Sequence, residues 1–205
     1  VVFEQRNESE KALTAFERAR QLDPAGVDSL VAQAECLVAA DRAVEARTLL
    51  EANLDRFDDN ATVATLAGHV AAKLGDREAA AKHLHRAFLH ADDDPRIVES
   101  LALQLADLNR CEQAVPLLRQ LTGDAQRESG VARRALAGCL LQKSEPHAAI
   151  ELLADHTREH PDDEPALILL AQAYLELGDL ISAQHALDRT SPRNRSTPSV
   201  ALVAA

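Results

Sequence analysis

A repeat of about 34 residues is the feature of this sequence that most restricts its fold. Six alanines recur at separations of 34, 34, 34, 35 and 34 residues: Ala12, Ala46, Ala80, Ala114, Ala149 and Ala183. Each is followed four residues later by a large apolar residue: Phe16, Leu50, Leu84, Leu118, Leu153 and Leu187. Because residues i and i+4 share one face of a helix, this pairing predicts a helix packed along one side. A fixed period of this length predicts an elongated array of such units.

A turn and an earlier helix precede each of these alanines. Residues that favour turns or tolerate left-handed backbone stand five positions before them: Asn7, Asp41, Gly75, Asn109, Ser144 and Gly178. Small residues stand twelve positions before them: Ala34, Gly68, Ala102, Ala137 and Ala171. Each repeat is therefore predicted to be a hairpin of two helices. Neither helix can bury its apolar stripe alone, so that successive hairpins must stack.

This pattern resembles the tetratricopeptide repeat family. The last full copy carries it best, in Ala166-Leu167, Leu170-Ala171, Tyr174, Gly178, Ala183 and Leu187. The resemblance implies an all-α fold, a right-handed α-solenoid (superhelix) of tandem helix-turn-helix repeats, with residues 1–205 as a single domain. The implied register gives a partial repeat 1–26, full repeats 27–60, 61–94, 95–129, 130–163 and 164–197, and a partial repeat or capping helix 198–205. Both ends would then be cut inside a first helix, with Val1 to Phe3 as the tail of an earlier helix.

Composition excludes several classes of function. The net charge is −11 and the sequence contains no basic stripe, so we expect no nucleic-acid partner. The longest apolar runs fall short of the roughly 18 residues of a membrane span, and the N-terminus shows no signal pattern, so we expect a soluble chain without membrane insertion. The compartment stays open, with the cytoplasm favoured over the periplasm. Cys36, Cys111 and Cys139 are odd in number and widely spaced, which predicts buried thiols and neither a disulfide framework nor a zinc site.

Catalytic and metal motifs are weak. His156-Thr157-Arg158-Glu159-His160 matches the H-x-x-E-H spacing that can chelate zinc, but it lies at the end of a second helix, before Pro161, with no third ligand in sight. His83 and His85 are two residues apart, so they point to different sides of a helix and cannot converge on one ion. We therefore expect no catalytic residue, no cofactor and no metal, and the chain is predicted not to be an enzyme.

The family resemblance implies a peptide groove along the first helices. Its groove-facing positions fall here on Val31, Glu35, Val38, Thr65, His69, Lys73, Arg96, Glu99, Leu103, Asp107, Arg134, Leu141, Ile168, Gln172, Leu175 and Glu176. The same register adds Asp28, Thr62, Val131 and Gln142. Apolar members of this set would suit an extended or helical peptide, although lone apolar surface residues are also ordinary. The basic and asparagine residues with which some family members clamp acidic chaperone tails are not at these positions.

The predicted function is a scaffold that binds a peptide or partner protein along the concave groove. Two alternatives stay open. The chain could be the regulatory or substrate-docking arm of a larger enzyme, such as a transferase or a thioredoxin-fused protein. It could also associate with itself, because an uncapped solenoid exposes an apolar helix face.

Overall fold

The computed structural model describes residues 2–23, 26–91, 93–123 and 129–190, with side chains from residue 10 onward. These residues form eleven α-helices and no strand. In chain order they are α1 (Val2–Leu22), α2 (Val27–Ala39), α3 (Ala43–Glu51), α4 (Ala61–Lys73), α5 (Arg77–Leu89), α6 (Pro95–Asp107), α7 (Cys111–Thr122), α8 (Gly130–Gln142), α9 (Pro146–Glu159), α10 (Glu164–Glu176) and α11 (Leu180–Asp188). None of them is long and apolar enough to cross a bilayer. The predicted all-α fold of tandem hairpins is confirmed.

The turns inside the five full repeats use left-handed backbone, as the sequence predicts. Backbone φ lies between 58° and 79° at Asp41, Gly75, Asn109, Ser144 and Gly178. The N–H of the following residue then donates to a carbonyl five residues earlier, as from Arg42 to Leu37 at 2.8 Å. These bonds satisfy carbonyls that a helix end otherwise leaves without partners. Each first helix therefore ends where the chain must reverse.

The turn predicted at Asn7 is wrong. Helix α1 runs without a break from Val2 to Leu22, so Phe3 belongs to this helix and is not the tail of an earlier one. Asparagine in a helix costs at most about 0.7 kcal/mol relative to alanine, and its neighbours are ordinary helix formers. A single weak breaker therefore does not end a helix that its surroundings favour. The partial repeat or capping helix expected at 198–205 lies outside the described residues.

The described chain divides into two compact units, Val1–Gln104 and Leu105–Ala205. In the first unit the small and large residues of the repeat meet in the core, as predicted. Ala34, Ala46, Leu50, Ala80 and Leu84 are all at most 1% exposed. Helices α4 and α5 approach closely at Gly68, where an added Cβ would lie 2.6 Å from the Cγ of Leu84. The repeat's small residue therefore sets the distance between the two helices of that hairpin.

The second unit repeats this packing. The repeat positions of α7 to α11 are buried in the same pattern: Ala114, Leu118, Ala137, Ala149, Leu153, Ala171, Ala183 and Leu187. Contacts join α8 to α9, α9 to α10 and α10 to α11, and the two first helices α8 and α10 also touch. Consecutive hairpins therefore stack through the faces that the periodicity identifies.

Two cysteines differ from the sequence-based expectation. Cys111 and Cys139 are buried, as predicted, but they are bonded to each other across 28 residues, with their Cα atoms 5.2 Å apart. The prediction that they stay thiols is wrong because it considered only spacing in sequence. Cys111 begins the second helix of one repeat and Cys139 lies within the first helix of the next, and stacking brings these helices together. Cys36 is half-buried.

Candidate functional site

All sixteen groove residues predicted from the sequence lie on first helices. Helix α2 carries three of them, α4 three, α6 four, α8 two and α10 four. Every one of these side chains is half-buried or exposed, and none belongs to the fully buried core. They therefore occupy surface positions on the helices to which the register assigns them. That they contact a ligand stays a prediction.

Five of these residues line a groove of about 460 Å³ in the first unit. They are Val31, Glu35, Thr65, His69 and Arg96. The remaining lining consists of Ala61, Thr62, Leu66, His90, Ala91, Asp94 and Ile97. The volume lies within the roughly 300–1,000 Å³ typical of small-ligand sites. The structure thus brings α2, α4 and the start of α6 around one depression.

The apolar floor of the groove rests on packed core. Val31 and Leu66 are half-buried and pack against the core cluster that contains Leu30 and Val63. On the other side, Ile97 forms a small cluster with Ala64 and Ala87, against which Ala61 and Ala91 pack. Close-packed residues of this kind hold a preformed surface in place. The packed core therefore supports the floor of the groove.

The sequence analysis missed six lining residues, three on first helices (Ala61, Leu66 and Ile97) and three at the junction after α5. His90, Ala91 and Asp94 follow the C-terminal end of α5, so they come from a second helix and the junction after it. The family's groove positions lie on first helices alone, and the register gives no reason to include a junction. The only usable signal is that this junction leads directly into α6, whose first residues Arg96 and Ile97 line the same groove.

His69 forms a hydrogen bond with Ser100 on the neighbouring first helix. Its Nε2 lies 3.1 Å from the Oγ of Ser100, and that hydroxyl donates its one proton to the carbonyl of Arg96 at 2.8 Å. With its proton on that carbonyl, the hydroxyl accepts from the His69 tautomer that is protonated at Nε2. Burial lowers the pKa of His69, which favours the neutral ring. The other ring nitrogen, Nδ1, is then an acceptor.

The cationic side chains at the predicted positions are paired within the protein. Arg96 contacts Asp94 through Nη2 at 3.2 Å and Nε at 3.4 Å, and its backbone N–H also donates to Asp94 at 2.9 Å. The side-chain hydrogen bond from Arg96 and then this backbone bond hold the pKa of Asp94 below its usual range. The Nζ of Lys73 lies 3.6 Å from the Oδ1 of Asp41. Neither cation is left without a carboxylate.

Arg134, predicted to face the groove, belongs to a half-buried network in the second unit. Its Nη1 donates to Asp163 Oδ2 at 2.5 Å, and the buried His156 donates to the same oxygen through Nε2 at 2.8 Å. Asp163 also accepts from the backbone N–H of Ala166 and so caps α10. Burial raises the pKa of Asp163, but the hydrogen bonds from His156, Ala166 and Arg134 outweigh it and lower that pKa overall.

The H-x-x-E-H string is part of this network. His156 and His160 lie at the end of α9, with ring centroids 4.8 Å apart, beside a depression of about 540 Å³ lined also by Gly130, Glu159 and Asp163. Because Nε2 of His156 donates to Asp163, the N-cap residue of α10, this histidine joins the end of α9 to the start of α10. Among the described residues, no group of three or more histidine, cysteine, aspartate or glutamate side chains is placed to hold a metal ion.

Two tetratricopeptide repeat family models match the sequence. One matches residues 2–61 and again residues 99–164, and the other matches residues 140–205. No curated protein matches the chain.

Several solved structures share its fold. One is YrrB, described as a tetratricopeptide repeat protein with an unusual peptide-binding site, with a TM-score of 0.79, 19% identity, and 93% of this chain and 97% of that one covered. A tetratricopeptide repeat protein from Parabacteroides merdae has a TM-score of 0.71 at 15% identity, covering 98% and 80%. MamA from AMB-1 has a TM-score of 0.67 at 22% identity, covering 79% and 93%. At these sequence identities the similarity shows a shared fold alone.

Proposed function

Because this chain belongs to the tetratricopeptide repeat family, we propose that it is a scaffold that binds a peptide or partner-protein segment without chemistry. The observation that carries the proposal is the groove between α2, α4 and α6. It combines an apolar floor with polar side chains at its rim, which is the usual composition of a peptide site.

The lining residues divide into two roles. Val31, Leu66 and Ile97 offer apolar surface on which one or two side chains of a ligand would be buried. Thr62, Thr65 and His69 provide hydroxyl and imidazole groups for hydrogen bonds to its backbone. The groove would therefore recognise both the side chains and the backbone of a bound segment, and this recognition requires no reacting group. The peptide-binding site named for YrrB, a protein of similar fold, supports the same kind of ligand here.

A steric block of the groove tests the proposal. Thr65 is half-buried in the lining of the groove, and its hydroxyl donates only to the carbonyl of Ala61, so Thr65→Tyr fills the groove without disturbing the core. Thr14→Tyr is the matched control, because Thr14 makes the same bond to Glu10 on α1, outside the groove. Random linear peptides displayed on phage are selected on the immobilised wild type and then measured against both variants.

We expect peptides selected on the wild type to lose binding to Thr65→Tyr and to keep it with Thr14→Tyr. Circular dichroism would show that all three proteins are equally helical. If the selected peptides bind Thr65→Tyr as well as the wild type, or if no peptide is enriched, this groove is not a peptide site.

A further inference from the structure

The charge of the groove in the first unit is not balanced. Glu35 lines it, is exposed, and makes no hydrogen bond or ion pair with any residue that the structure describes. Arg96 is the one arginine or lysine among the described lining residues, and Asp94 already contacts it through three hydrogen bonds. A ligand in the groove therefore meets the carboxylate of Glu35, which has no counter-charge. The guanidinium of Arg96, in contrast, is already paired with Asp94.

The same first helices extend this imbalance beyond the lining. Asp28 on α2 and Glu99 on α6 occupy predicted groove positions, and neither has an ion-pair partner in the described part of the chain. Lys73, the cation of α4 at such a position, is paired with Asp41. At the predicted groove positions of α2, α4 and the part of α6 in this unit, the charged side chains without a partner among the described residues are therefore all carboxylates.

Two of the hydrogen-bonding groups in the groove, those of Glu35 and His69, act as acceptors. In the neutral tautomer that donates from Nε2 to Ser100, His69 offers only an acceptor, Nδ1, to a ligand. Glu35 is likewise an acceptor alone. Lysine and arginine side chains carry only donors, three and five N–H groups respectively, so they match these acceptors in both charge and hydrogen bonding.

We propose that this groove selects a basic peptide segment, with a lysine or arginine placed against Glu35 and a neighbouring apolar side chain on Val31 and Ile97. This inference rests on the proposed function and names the partner's chemistry. Charge complementarity of this kind determines which partner is accepted and how fast it associates, while the apolar contact supplies most of the affinity. An acidic segment would place like charges beside Glu35 and be rejected.

Peptide selection can separate this inference from the proposed function. The random peptides enriched on the wild type and lost on Thr65→Tyr are sequenced, and their net charge is compared with that of the starting library. Those peptides are then synthesised and titrated into Glu35→Gln, Asp28→Asn and the control Glu151→Gln. Glu151 is an exposed glutamate on α9 with no partner among the described residues, so it matches the charge change of Glu35→Gln away from the groove.

We expect the groove-dependent peptides to be enriched in lysine and arginine. Glu35→Gln should weaken their binding by up to about fivefold, the upper range for an exposed ion pair, and Asp28→Asn by less. Glu151→Gln should leave binding unchanged, and added salt should reduce the difference between wild type and Glu35→Gln.

Two other outcomes have separate meanings. Groove-dependent peptides of neutral or acidic composition, or equal binding to wild type and Glu35→Gln, would overturn the inference and leave the peptide-binding function standing. If no enriched peptide depends on the groove, the proposed function fails, and the inference fails with it.

Discussion

Replacing Gly68 by alanine should destabilise the protein although alanine is the better helix former. In an open helix position this change contributes up to about 1 kcal/mol of stability. At Gly68, however, the new Cβ would lie 2.6 Å from Cγ and 3.0 Å from Cδ2 of Leu84, and 3.3 Å from the carbonyl oxygen of Ala80. Leu84 is 1% exposed and cannot move aside freely. Overpacking of this kind costs about 1–3 kcal/mol, so the net loss should reach about 2 kcal/mol.

The chain contains a matched control for this prediction. Gly138 lies in the interior of α8, and a Cβ added there meets no atom within 4 Å beyond the nearby backbone of its own helix. Gly138→Ala should therefore gain the helix-propensity term alone, up to about 1 kcal/mol. The difference between the two variants isolates the steric term. Urea unfolding followed by circular dichroism gives both free energies relative to the wild type.

Truncation of Leu84 makes the test more specific. Leu84→Ala alone should cost about 2–5 kcal/mol because it leaves a cavity between α4 and α5. In that background the methyl group of Gly68→Ala has room, so the second substitution should become stabilising. If Gly68→Ala stabilises the wild type as much as Gly138→Ala does, the close approach of the two helices at Gly68 is refuted.

Three further predictions concern the second unit. Reduction of the Cys111–Cys139 disulfide should lower the free energy of unfolding by about 3–4 kcal/mol from the entropy of its 28-residue loop, and urea unfolding of a Cys111→Ser, Cys139→Ser variant should not respond to reductant. Asp163→Asn should lower the free energy of unfolding by about 2 kcal/mol at neutral pH, because a neutral amide accepts the hydrogen bond from buried His156 more weakly than a carboxylate does. The pKa of Asp163 is lowered in the folded state, so its contribution to stability is present above the ordinary pKa near 4 and is lost as pH falls through the lower folded value. The free energy of unfolding of the variant should therefore depend less on pH over that range. Ser144→Gly should stabilise by about 1 kcal/mol, since φ is 58° there, and thermal unfolding that shows no gain would contradict this.

Local chemistry made the turns predictable. A left-handed residue is needed wherever a first helix reverses, and the sequence places glycine, asparagine, aspartate or serine at those five sites, as at Gly75 and Asn109. At Asn7 the same residue type stands inside α1, because a single asparagine does not end a helix. The period therefore identifies the hairpins, but a turn residue by itself does not identify a turn.

Contacts between repeats were harder to predict than the repeats themselves. Cys111 and Cys139 meet because two helices of different repeats stack, which spacing in sequence does not reveal. Arg134 was predicted from its register to face a ligand, and it binds Asp163 instead of standing unpaired on the surface. The groove residue Asp94 lies on a junction outside the periodic pattern. The partners of a side chain depend on its neighbours in three dimensions. The repeat register therefore predicts which helix face a residue lies on, but not which groups it binds there.

Mapping a bound peptide by NMR tests the central claim most directly. A peptide selected on the wild type is titrated into isotope-labelled protein, and the shifts of its amide signals are followed. We expect the largest changes on the groove residues of α2, α4 and the start of α6, including Val31, Thr65, His69 and Ile97. Changes concentrated on the second helices α3 and α5, with these four residues unaffected, would contradict it.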